Sequence, residues 1–115
     1  MSEFKPTAEK PHDFSWQQTM LRIKDPAKSI PFYCDNFGFK VIQSYNFQQW
    51  QFSLYFLAIL PKGVEAPTPG TPEAEDFLWS NRGVTIELTH NHGSENDESF
   101  AVNSGNVEPH RGFGH

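Results

Sequence analysis

Gln18 lies in the run Gln17-Gln18-Thr19-Met20-Leu21-Arg22-Ile23-Lys24, and Glu87 in Val84-Thr85-Ile86-Glu87-Leu88-Thr89. Both runs alternate apolar and polar residues, the period of a β-strand with one wetter face. If the two strands pair, the Gln18 amide oxygen and the Glu87 carboxylate project into one concave surface. With His115 they would make an oxygen and nitrogen donor set suited to a borderline cation such as zinc. Solvation on the wet face of a sheet is the commoner fate of such side chains, and a lone histidine is more often no ligand at all. The residue types alone leave both readings open.

Arg22 and Arg111 are candidates for anion recognition, because a planar guanidinium grips a carboxylate through two parallel bonds. Asn91 would add an amide. Isolated arginines also serve as ordinary surface charge. His90-Asn91-His92 has a spacing that suggests metal binding, but no cysteine or carboxylate stands where a structural zinc site would need it. His110 falls in the same polar stretch, and His12 lies in the N-terminal arm. Cys34 sits among aromatic residues at helical spacing, which favours a buried, inert thiol. The acidic stretch from Gly93 to Glu98 lacks the ligand spacing of a calcium loop. Arg111-Gly112-Phe113-Gly114 has no strand-to-helix context and is not a dinucleotide fingerprint.

The elements that must position these groups follow from the same periods. A strand is expected over Trp16 to Asp25. Asp25-Pro26 reads as N-cap and first helical residue, since an aspartate accepts orphan amide bonds and proline has no amide to orphan. The helix should reach about Asn36, with Ile30, Tyr33, Cys34 and Phe37 at helical spacing and Gly38 at its left-handed end. Pro31 inside it predicts a kink or a distorted first turn. Phe39 to Phe47 and Gln51 to Leu60 read as two strands joined by Gln48-Gln49-Trp50. Pro61 to Glu75 is dense in proline and glycine and reads as a surface loop. Val84 to Thr89 is the fourth strand, and His90 to His110 a polar connection. The order is βαβββ: an α+β module with a curved sheet and a helix on its outer face.

Composition bounds the rest. One domain fits in 115 residues, and eleven Phe, three Trp and three Tyr supply enough large apolar area for a real core. Residues 1–14 are polar, show no period and read as a flexible arm, leaving 15–115 for the module. A net charge of −5 without a Lys/Arg cluster gives no footprint for nucleic acid or an anionic membrane. The single Cys34 cannot form an internal disulfide, and no apolar leader follows the start, so a cytoplasmic setting is expected.

Four colinear stretches then carry more than generic pattern. Gln17 through Pro26, Phe52-Ser53-Leu54-Tyr55-Phe56-Leu57, Thr85 through Asn91, and Gly105-Asn106 with Arg111-Gly112-Phe113-Gly114-His115 closely resemble glyoxalase I of the eukaryotic type, the lactoylglutathione lyase family. That family belongs to the vicinal oxygen chelate group, in which paired βαβββ modules form a cupped sheet around a metal. The resemblance implies Gln18 and Glu87 as metal ligands of the first module and His115 as the first ligand of a second module that the chain only opens. It implies a further Glu, the principal base, with no counterpart here, so that the chain alone is expected to be inactive. Zn2+ is the preferred ion, with Ni2+ as the alternative. The implied reaction is isomerisation of the methylglyoxal–glutathione hemithioacetal to S-lactoylglutathione, with Glu87 as ligand and second proton-transfer group. Arg22, Asn91 and Arg111 would hold glutathione, while Phe47, Phe52, Leu54 and Phe56 would line an apolar pocket. The family's active sites form between subunits, which implies a homodimer. The alternative is a non-catalytic module of the same fold that binds a thiol conjugate or other small ligand.

Overall fold

The computed structural model describes residues 14–113. The expected arm falls almost wholly outside the described residues, as does His115.

Strand β1 (Gln18–Ile23) leads to helix α1 (Pro26–Phe37), and then β2 (Lys40–Phe47) and β3 (Phe52–Ala58) form a hairpin. A 3-10 turn over Gln48–Trp50 closes the hairpin, with Gln51 at a φ of 59°. A second helix, α2 (Pro72–Ser80), precedes strand β4 (Thr85–Asn91). The sheet order is β1-β4-β3-β2, with β4 parallel to β1 and antiparallel to β3. The last strand of the sequence therefore lies at the centre, between the strand that carries Gln18 and the aromatic hairpin. This is the expected βαβββ order with one added helix.

Local chemistry explains the helices. Asp25 accepts from the Ala27 amide at 2.9 Å, and Gly38, at a φ of 77°, donates its amide to the Cys34 carbonyl. Helix α1 runs through Pro31 without a break. The donation that Pro31 lacks falls on the turn of Ala27, and both residues are exposed, so water can serve the freed carbonyl.

Two readings of the sequence require correction. The stretch Pro61 to Glu75 is not loop throughout, because α2 begins at Pro72: Thr71 caps it, its Oγ accepting from the Ala74 amide at 3.2 Å, and Glu73 and Glu75 lie in its first turn. The polar connection does not start at His90 either. Strand β4 continues through Asn91, and His90 is buried within it.

The sheet has apolar packing on both faces. On one side, Ile23, Leu57 and Leu88 are buried beneath Ile30, Tyr33 and Cys34 of α1. On the other, Ile42, Phe56, Ala58 and Leu78 bury together, so α2 covers one part of the opposite face. Gln43 ties the proline-rich segment down: its buried Oε1 accepts from the Gly70 amide at 2.7 Å. Among the described residues no helix is long and apolar enough to cross a membrane.

Candidate active site

The face opposite α1 is read from the register. Gln18 pairs with Thr85, Met20 with Glu87 and Arg22 with Thr89, while Phe56 pairs with Glu87 across the other edge of β4. Side chains alternate along a strand, so Gln18, Met20 and Arg22 share a face with Thr85, Glu87, Thr89 and Asn91. Leu54 and Phe52 continue it on β3, and Tyr45 and Phe47 on β2. Gln18 and Glu87 are diagonal neighbours on adjacent parallel strands.

The chemistry of these two groups is unusual for a wet sheet face. The Gln18 Oε1 is buried and has no hydrogen-bond partner. A buried acceptor left unpaired costs on the order of 1–3 kcal/mol, which asks for an explanation in a bound group. Burial also pushes the Glu87 carboxyl above the usual carboxylate range. A divalent cation would answer both, supplying the missing partner for an amide oxygen and the positive charge that a desolvated carboxylate lacks. Among the described residues no three His, Cys, Asp or Glu side chains converge as a metal site. Gln18 and Glu87 thus form a pair of oxygen donors that fits part of a ligand set.

One end of this face carries cationic and amide groups. The Arg22 Nη1 donates to Asn91 Oδ1 at 2.6 Å, which fixes the guanidinium of the edge strand β1 against the end of β4. Beside it, a cavity of about 410 Å3 opens between Met20, Arg22, Asn103, Ser104 and Phe113. The segment after residue 100 runs along that edge and folds back, with the Gly112 amide donating to the Gly105 carbonyl at 2.9 Å. A glycine is required at 105, where φ is 82° and an added Cβ would lie 2.8 Å from Phe113. Arg111, expected to join the anion site, instead makes an exposed ion pair with Glu108, Nε to Oε1 at 2.7 Å.

Aromatic rings line the other side. Tyr45 stacks on Phe47 with centroids 5.9 Å apart, Phe47 meets Phe52 at 5.0 Å, and Phe56 receives Tyr45 and Trp79 edge-on at 6.0 Å each. Trp79 is a residue that the sequence reading missed, since it belongs to α2; the Thr71-Pro72-Glu73 start was the signal that would have found it. The Cys34 thiol, on the opposite face, is pushed up by burial and by the Asp35 charge, in keeping with an inert side chain.

Behind Arg22 and Asn91 lies a polar network that the sequence reading also missed. On the α1 side of β4, His90 Nε2 lies 2.6 Å from Glu95 Oε2, and His92 Nε2 lies 2.7 Å from Ser53 Oγ. Ser94 Oγ donates to the Lys24 carbonyl at 2.6 Å. His90 and His92 therefore act as side-chain partners within the fold.

Residues 15–115 match the Glyoxalase/Bleomycin resistance protein/Dioxygenase superfamily. The chain belongs to that superfamily. It is 43% identical over 97 residues to a protein named glyoxalase I from Saccharomyces cerevisiae, covering 84% of this chain and 28% of that one. It is 43% identical over 102 residues to lactoylglutathione lyase of Pseudomonas putida, covering 89% and 57%, and 40% identical over 102 residues to that of Schizosaccharomyces pombe, covering 89% and 31%. The chain thus spans from 28% to 57% of the length of these relatives. Among solved structures it is similar to one from a study of Leishmania major glyoxalase I, which is described as trypanothione-dependent; the TM-score is 0.52 at 25% identity, covering 77% of this chain and 53% of that one. The resemblance carried by the four motifs is borne out.

Proposed function

We propose that this chain supplies one βαβββ half of a metal-dependent lactoylglutathione lyase that isomerises the hemithioacetal of methylglyoxal and glutathione. The observation that carries the reading is the unpartnered, buried Gln18 Oε1 beside the raised carboxyl of Glu87, on the face that also presents Arg22 with Asn91. A binding module needs neither an orphaned amide oxygen nor a desolvated carboxylate. Relatives named for this activity support the same conclusion.

Gln18 Oε1 and Glu87 would hold the ion, with His115 as a further ligand and zinc preferred over nickel. When bound, the metal supplies Lewis-acid stabilisation of the negative charge that develops on substrate oxygen as a proton leaves carbon. Glu87 would take up and return a proton at its carboxylate. Arg22 and Asn91 would hold a glutathione carboxylate or amide, and Arg111 would join them by exchanging its contact with Glu108. The apolar side formed by Phe47, Phe52, Leu54 and Phe56 would exclude water from the reacting carbons. A second module would bring the principal carboxylate base, in a homodimeric, cytoplasmic enzyme.

Metal uptake and hemithioacetal turnover test this directly. Residues 1–115 are expected to bind zinc weakly, to lose it in both Gln18→Leu and Glu87→Gln, and to turn over little without a second module. Failure of the wild-type chain to take up any divalent ion would overturn the metal reading. Robust turnover by these residues alone would overturn the need for a further carboxylate.

A further inference from the structure

Arg22 and Asn91 stand on the concave face at the ends of β1 and β4, where strands are least constrained by their ladders. The groups that constrain them lie on the opposite side of the sheet. His90, next to Asn91 and only 7% exposed, points toward α1 and meets Glu95 at 2.6 Å. His92, on Asn91's other side, meets Ser53 of β3 at 2.7 Å, and its amide donates to the Gln51 carbonyl at 2.9 Å. Ser94 reaches the carbonyl of Lys24, two residues beyond Arg22, at 2.6 Å. The turn that follows β4 is therefore tied to β3, to the end of β1 and to β4 itself.

From this geometry we infer that the His90–Glu95 pair is the positioning device for the anion-gripping Arg22–Asn91 pair. A backbone shift of β4 at Asn91 also moves His90 and strains its contact with Glu95, because the two are consecutive residues of one strand. Arg22 follows Asn91 through the 2.6 Å bond from Nη1 to Oδ1. Glu95 is the stationary end of the device: it sits in the 3-10 turn Ser94–Asn96, which Ser94 anchors to β1. A guanidinium holds a carboxylate bidentately only in a narrow orientation, so a freed turn weakens the grip even when no gripping residue is lost. A side-chain hydrogen bond of this kind depends on geometry, which a partner amide at position 95 preserves.

The inference rests on the proposed reading of Arg22 and Asn91 as the glutathione anchor, and titration of the chain with S-methylglutathione separates the two. Arg22→Ala should abolish or severely weaken binding of the probe. Glu95→Ala, at an exposed position that leaves the core intact, should weaken it by about three- to tenfold. Glu95→Gln should recover most of that loss. The side-chain amide resonance of Asn91 should shift in Glu95→Ala and return toward its native position in Glu95→Gln, a change that a remote effect on stability does not produce. His90→Gln should parallel Glu95→Ala if it folds. Affinity within about twofold of wild type in Glu95→Ala, alongside a clear loss in Arg22→Ala, would overturn the positioning role alone. Unchanged affinity in Arg22→Ala, or no binding by the wild-type chain, would overturn the anchor reading and the inference with it.

Discussion

Gln18 Oε1 and the Tyr45 hydroxyl are the buried side-chain polar atoms that lack a partner among the described residues, and both belong to the face opposite α1. Their consequences differ. Gln18 faces Glu87 diagonally across two strands, where a cation would satisfy it. Tyr45 packs among Ile42, Phe56, Ala58 and Leu78, an apolar setting in which the hydroxyl gains nothing from burial. Tyr45→Phe keeps the stack on Phe47 and removes the orphan, so urea unfolding should show stability unchanged or raised by up to about 1 kcal/mol. Glu87 makes the complementary case through its titration. Its folded-state pKa is raised, so ionising it opposes folding: stability is fully present below the ordinary value of 4.5 and is lost as pH rises through the folded value. Metal-free Glu87→Gln should therefore melt higher than the wild type near about pH 7, and the gain should vanish near about pH 4. A melting temperature equal to wild type at neutral pH would show that Glu87 is not desolvated in solution.

Helix α2 brings Leu78 and Trp79 against Phe56 on the face opposite α1. It is nine residues long and emerges from the proline-rich segment, and only Ala74 and Leu78 on it are buried. Its first turn depends on the Thr71 cap. Thr71→Ala should cost about 1 kcal/mol, and hydrogen exchange should show the loss concentrated in residues 72–80. The same helix marks where sequence legibility ended. Strands β1 and β4 announced themselves by alternation, β2 and β3 by their runs of β-branched and aromatic residues, and α1 by Asp25-Pro26 at one end and Gly38 at the other. The shared face of Gln18 and Glu87 followed from that alternation once β1 and β4 paired. Helix α2 was masked because the prolines and glycines before it satisfy loop criteria, although Thr71-Pro72-Glu73 is a sound helix start. The end of β4 was masked for a different reason. His90-Asn91-His92 is polar enough to read as connection, and what buries it is a set of partners, Glu95 and Ser53, that periodicity cannot reveal. Gln18 could be placed on a face from sequence, but the absence of a partner for its amide oxygen needs coordinates.

Taken whole, the molecule divides its labour between the two faces of one sheet. The α1 side buries Ile23, Leu57 and Leu88; the opposite side gathers Gln18, Glu87, Arg22 and Asn91 next to a second apolar cluster of Ile42, Phe56, Ala58 and Leu78. Substitutions should therefore separate into two classes. Leu57→Ala should lower stability by about 2–5 kcal/mol while leaving zinc affinity at low temperature unchanged, because the cavity opens under α1. Glu87→Gln should do the reverse, losing zinc and gaining stability. Phe56 breaks the division: it is 1% exposed, packs with Leu78 beneath α2, and stands opposite Glu87 in register. Phe56→Ala should therefore lower stability by about 3–5 kcal/mol and weaken zinc binding as well, since the ring shields the carboxylate from water. Unfolding midpoints and zinc titrations on the same three variants check this. If Leu57→Ala lost zinc as readily as Phe56→Ala, the two faces would be one cooperative unit, and the metal site would depend on the whole sheet rather than on the strands that bear its ligands.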